Sequence, residues 1–203
     1  MLQQILIQEP MPINLTIFAS GAGTNAANII EHFNLRKDIC INLIVCNNKT
    51  AGVLQVGIQN NIETILIDRT LFTEGLVGIL AKKETNFIIL AGFLWKLPEN
   101  IVGAFPNCIL NIHPALLPNY GGKGMYGSNV HKAVIGNKDL KSGITIHVVD
   151  EEYDNGKILF QATCPVELLD SDLLLAEKIH ILEHEHFPEV IESYILSSTN
   201  VPV

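Results

Sequence analysis

Charge is scarce in this chain of 203 residues: Asp, Glu, Lys and Arg make up 17%, and the balance is acidic, 21 Asp and Glu against 13 Lys and Arg, for a formal charge of −8. A negative surplus repels polyphosphate backbones unless a local basic patch offsets it. The longest basic run is Lys82-Lys83, and Lys123, Lys132, Lys138 and Lys141 are scattered, so no nucleic-acid partner is expected. Long apolar runs are also missing. No stretch approaches the roughly 18 consecutive apolar residues a membrane helix needs, and the start MLQQILIQEPMP has no basic segment leading into a long apolar one, so neither a membrane span nor export is expected. Cysteines are few. Cys40, Cys46, Cys108 and Cys164 lie far apart with no CxxC pair, which argues against a zinc site or a disulfide framework and for a reducing, cytoplasmic setting.

What is abundant is apolar side chain, 48% of the residues, in an order that alternates strand and helix. Residues 1–11 read as an N-terminal arm before Pro12, with Met11 an alternative start, and residues 12–203 as one domain. Strands are expected at 13–19, 41–46, 64–67 and 87–91. Helices follow the glycine loop at 20–25 and stand at 53–60 and 73–83, and the third cycle ends in the loop GFLWKLP. Alternation with short connections predicts an α/β, Rossmann-like domain with a mostly parallel twisted sheet and helices on both faces. The second half predicts a strand running into the proline-bounded segment 108–118, a glycine-rich stretch YGGKGMYG, a helix at 129–135, a β-hairpin from 142–150 and 157–166, and a final helix at 171–197 broken or bent at Pro188.

Two places carry chemistry. Gly21, Gly23, Thr24 and Asn25 sit between a strand and a helix, where small residues and free helix N–H groups receive an anion such as a phosphate. The pattern is neither GxGxxG nor a P-loop, so dinucleotide binding is not expected; the competing reading is a tight turn with a capping side chain. Asn111 and His113 lie two apart before Pro114, so on an extended chain both project to one side, where an amide and an imidazole can polarise a carbonyl and move protons. Asp150, ending a later strand, is the carboxylate expected beside that imidazole, favouring its charged form and holding a water; the alternative is an Asx-type turn residue in VDEEYDNG. His180 and His184 have the i, i+4 spacing of metal ligands, but without HExxH no metal is expected.

These segments together resemble the folate-dependent phosphoribosylglycinamide formyltransferase family over nearly the whole chain. The resemblance rests on SGAGTN, AGFLWKLP, NIHPALLPNY and ITIHVVDEEYDNG. It implies the formyltransferase fold and transfer of a formyl group from 10-formyltetrahydrofolate, a co-substrate, to the amine of glycinamide ribonucleotide in purine synthesis; the partners expected are small-molecule substrates, and the chain is expected as a monomer or homodimer, between which the sequence does not choose. Position by position it implies Asn111, His113 and Asp150 as the catalytic group. Gly23, Thr24 and Asn25 would hold the substrate phosphate with Arg69 nearby, and Glu183 the glycinamide end. Leu94, Leu97 and Val102 would line the folate pocket. Departures from the family pattern are GGKGMYGSNVH after the LLPxY segment, Trp95-Lys96 in the AGF loop, and a DEEYDNG turn one residue longer. Alternatives with the same catalytic group are a formyl-folate hydrolase, a sugar-nucleotide formyltransferase and the enzyme that formylates initiator tRNA; a non-catalytic nucleotide-binding module is the alternative of another class. On chain length, the extra domains usual in the hydrolase and tRNA enzymes are not expected here.

Overall fold

Both faces of the central strands are apolar because both are covered, and side-chain alternation sorts each strand between two cores. On β1 (Ile13–Ala19), Leu15, Ile17 and Ala19 join one core and Phe18 the other; on β4 (Phe87–Leu90), Phe87 and Ile89 face one way, Ile88 and Leu90 the other. The structure, a computed structural model, describes residues 11–199. The expected arm therefore lies almost wholly outside the described residues.

Seven strands form one sheet in the order β3-β2-β1-β4-β5-β6-β7. β2 (Ile39–Cys46), β3 (Thr64–Leu66), β1, β4 and β5 (Ile109–His113) pair in parallel, whereas β6 (Lys141–Val148) and β7 (Ile158–Pro165) are antiparallel additions. The chain winds outward from β1 through β2 to β3, then crosses back to β4 on the other side of β1. That reversal opens a crevice at the carboxyl ends of β1 and β4, where ligands of open α/β sheets collect.

Helix α1 (Thr24–Phe33) and the long α6 (Asp172–Thr199) cover one face with Ile29, Phe33, Ile179, Phe187 and Ile191. A π-helical turn at Leu71–Gly75, running into α3 (Leu76–Lys82), covers the other face with Phe72, Leu76 and Leu80. Between these come α2 (Val53–Gln59), α4 (Glu99–Ala104) and α5 (Ser128–Gly136). The parallel sheet, the hairpin and both helical layers agree with expectation. The short α4 was not expected, since its six residues after Pro98 show too little periodicity to separate it from the preceding loop.

The expected break at Pro188 does not occur: α6 runs through it for 28 residues. A proline cannot donate to the carbonyl four residues back, and its ring crowds that group. Here the carbonyl belongs to His184, and Asn28 Nδ2 on α1 donates to it at 2.7 Å. The bond lost inside α6 is thus replaced by one that ties α6 to α1.

Gly143 on β6 is required by close packing, because a Cβ there would stand 2.0 Å from the Ala162 carbonyl oxygen on β7 and 2.8 Å from Leu116 Cδ2. Gly143→Ala is expected to lower the stability of the protein by about 3 kcal/mol through overpacking, read as a shift in the denaturant midpoint. An unchanged midpoint would mean that the hairpin registers differently.

Candidate active site

A cavity of about 730 Å³ opens where β1, β4 and β5 end. Its wall includes Gly21 and Asn25 from the glycine turn, Leu90 and the loop 92–97 after β4, Asn111 and His113 on β5, the segment 122–127, His131, His147, Val149, Asp150 and Asp154, and His180 and Glu183 on α6. The size suits a small organic ligand.

Asn111 and His113 both reach the cavity, as their two-residue spacing predicts. His147 stands directly opposite Asn111 in the β5–β6 register. Its Nδ1 lies 3.0 Å from the Val148 carbonyl oxygen, which can only accept, so the proton sits there and Nε2 is left as acceptor. Asn111 Nδ2 donates to that Nε2 at 3.1 Å. Burial pushes the His147 pKa below the ordinary histidine value, which keeps the ring neutral and able to accept. One N–H of the Asn111 amide is thereby fixed and the other is left for a ligand.

His113 is oriented in the same way. Its Nε2 donates to the Tyr120 carbonyl oxygen at 2.8 Å, so Nδ1 is the nitrogen left for chemistry. The carboxylate facing that nitrogen is Asp154: its Oδ1 is 3.7 Å from His113 Nδ1 and 3.8 Å from His147 Nε2, and its Oδ2 accepts the Gly122 N–H at 2.8 Å. Tyr120 and Asp154 both have left-handed backbones, φ 58° and 52°, a conformation that costs a non-glycine residue about 1–3 kcal/mol and recurs at functional sites.

Asp150 lines the cavity but is not the partner of His113, contrary to expectation. Its Oδ1 accepts the Glu152 N–H at 3.0 Å and its Oδ2 the Asn155 amide at 3.2 Å, so it closes its own turn. The Asx-turn alternative describes it. Within this turn it is Asp154, four residues on, that faces the site, and Gly156 completes the turn where a Cβ would lie 1.8 Å from the Val148 oxygen.

At the other end, Asn25 Nδ2 donates to Glu183 Oε2 at 2.9 Å, joining two expected substrate residues 158 positions apart. His180 Nδ1 is 3.3 Å from the same oxygen, a contact that raises the pKa of His180. Gly23 and Thr24 do not line the cavity: Gly23 (φ 85°) packs where a Cβ would be 2.7 Å from Val53 Cα, and Thr24 is exposed at the start of α1. Arg69 stands outside the cavity lining as well, with its guanidinium 3.8 Å above the Trp95 ring, so its partner is the apolar wall. Leu94 and Leu97 line the cavity, whereas Val102 belongs to an adjoining cleft of about 450 Å³ that shares Val149, Asp150 and Glu152 with it. The His180 and His184 rings lie 4.0 Å apart between centroids, tilted by 58°, and no metal-holding group of three or more His, Cys, Asp or Glu occurs among the described residues. Nor, among these residues, is any helix long and apolar enough to cross a membrane.

His147 and Asp154 were missed in the sequence. The available signal was parity: His147 occupies an inward position of an alternating strand, and Asp154 is the second aspartate before a glycine.

Comparison with known proteins places the fold in a family. The family described as formyl transferase matches residues 13–191. The chain is 40% identical over 193 residues to the chloroplastic phosphoribosylglycinamide formyltransferase of Arabidopsis thaliana, covering 90% of this chain and 65% of that protein, so it spans just under two thirds of that relative's length. It is 28% identical over 186 residues to phosphoribosylglycinamide formyltransferase of Bacillus subtilis, covering 88% of this chain and 93% of that one. The crystal structure of the phosphoribosylglycinamide formyltransferase from Anaplasma phagocytophilum superimposes with a TM-score of 0.81 at 29% identity, covering 88% of this chain and 84% of that chain. Matched along almost all of its described length, with an asparagine, a histidine and a carboxylate at the mouth of the sheet, this chain belongs to the formyl transferase family.

Proposed function

We propose that the protein transfers the formyl group of 10-formyltetrahydrofolate to the primary amine of glycinamide ribonucleotide. The observation that carries this reading is the convergence of Asn111, His113 and Asp154 between an apolar wall and a polar end of one cavity. Leu90, Leu97 and Val149 with the 92–97 loop offer a flat apolar ring system its surface, and Asn25 and Glu183 offer polar contacts to a ribonucleotide. The relatives named for this reaction support the choice of substrates. Four free cysteines, Cys46 and Cys164 among them buried, support a reducing compartment such as the cytoplasm.

The reaction is acyl transfer. The amine nitrogen bonds to the formyl carbon, the carbonyl oxygen becomes negative, and the bond from that carbon to the folate nitrogen then breaks. Asn111 uses its free amide N–H to stabilise the oxyanion, an effect commonly worth about 3 kcal/mol for one such donor. His113 supplies a second donor from Nδ1 when that nitrogen is protonated, its Nε2 being tied to the Tyr120 carbonyl. Asp154 holds a water that takes the proton from the attacking nitrogen and returns it to the departing one. No covalent enzyme intermediate is needed, because the amine is already a competent nucleophile and alignment supplies much of the rate.

The test is a mixture of enzyme, formyl folate and glycinamide ribonucleotide, followed by folate absorbance. A change only in the presence of the ribonucleotide is expected. A change without it identifies a hydrolase, and no change in either mixture identifies a binding module.

A further inference from the structure

Helix α5 brings His131 to the cavity wall and leaves it without a partner in the protein. The ring is 7% exposed and lines the cavity, its Nδ1 is buried with no hydrogen-bond partner, and among the described residues no protein group bonds its Nε2. A buried polar atom left unpaired costs about 1–3 kcal/mol, and in native proteins such an atom calls for a specific explanation. A packing role is better filled by an apolar side chain, such as its neighbours Val130 and Val134.

The surroundings narrow the choice of ligand. His131 shares the cavity wall with His113 on β5 and Glu183 on α6, and the charges of Glu183, Asp172 and His113 all act on its ring. Burial disfavours the charged form, so the ring is a poor counter-ion for a phosphate. The substrate amine must stand at Asn111 and His113. Between amine and ribose the substrate carries one uncharged group with both a donor and an acceptor, its amide, which matches a neutral imidazole. We propose that His131 hydrogen-bonds the amide of glycinamide ribonucleotide and so selects an aminoacyl amide at this point of the cavity. The proposal rests on the formyl-transfer reading.

Two measurements test it. In the wild-type protein, the His131 ring nitrogen resonance, identified by its loss in His131→Gln, is expected to shift on saturation with glycinamide ribonucleotide and to stay in place with ribose 5-phosphate, which lacks the amide. By titration calorimetry, His131→Ala is expected to weaken binding of glycinamide ribonucleotide about 10-fold while ribose 5-phosphate changes less than about 2-fold. His131→Gln, whose amide can donate and accept, recovers part of the loss. An unmoved resonance, an unchanged affinity for the ribonucleotide, or an equal loss for both ligands overturns the role of His131. Failure of the wild-type protein to bind the ribonucleotide overturns the proposed function as well, whereas normal wild-type binding and transfer with a silent His131→Ala overturns this inference alone.

Discussion

Asp154→Asn is expected to leave the protein folded and to lower the turnover of formyl transfer about 10³-fold, within the range for loss of a general acid–base group. The amide oxygen of Asn can still accept the Gly122 N–H that Asp154 Oδ2 accepts at 2.8 Å, so the loop 122–127 keeps its anchor. What disappears is the negative charge 3.7 Å from His113 Nδ1 and 3.8 Å from His147 Nε2, and with it the hold on the water that relays the amine proton. The control is Asp150→Asn, whose amide can still accept the Glu152 N–H, and which is expected to stay within about 3-fold of wild-type turnover, since that side chain lines the cavity but closes its own turn and does not face His113. Steady-state kinetics with matched melting curves decide the matter. A silent Asp154→Asn beside an inactive Asp150→Asn would return the role to the strand-end aspartate.

The second large effect is at Asn111. Asn111→Ala removes the donor aimed at the oxyanion and should lower kcat about 10²–10³-fold with little change in KM, because the contact strengthens only as charge develops. It also deprives His147 Nε2 of its donor in a buried place, adding a stability loss of about 1–3 kcal/mol. Turnover measured well below the variant's melting temperature separates the two effects. A KM rise without a fall in kcat would mean that Asn111 binds the ground state instead. The geometry places His147 as the positioning residue behind it: its neutral ring, held by the Val148 carbonyl, points the amide.

Much of the fold was legible because its causes are local. Strand β1 was read at its observed limits, since apolar residues bounded by Pro12 and a glycine turn leave few alternatives. The same holds for α2 and the β6–β7 hairpin within a residue or two. Pro188 shows where local reasoning stops: the helix persists because Asn28, 156 residues away from His184 in sequence, bonds the carbonyl that the proline leaves free.

The sequence by itself determined the alternation of elements, the projection of Asn111 and His113 from one strand end, and the glycine turn at the mouth of the sheet, because each follows from periodicity or backbone freedom over a few residues. Only the tertiary structure decided which aspartate meets His113, that Glu183 joins Asn25, that Arg69 stacks on Trp95, and that His147 holds Asn111. Those pairings depend on left-handed turns and on strands and helices meeting across the fold, and the energy of such contacts belongs to neither partner's local sequence.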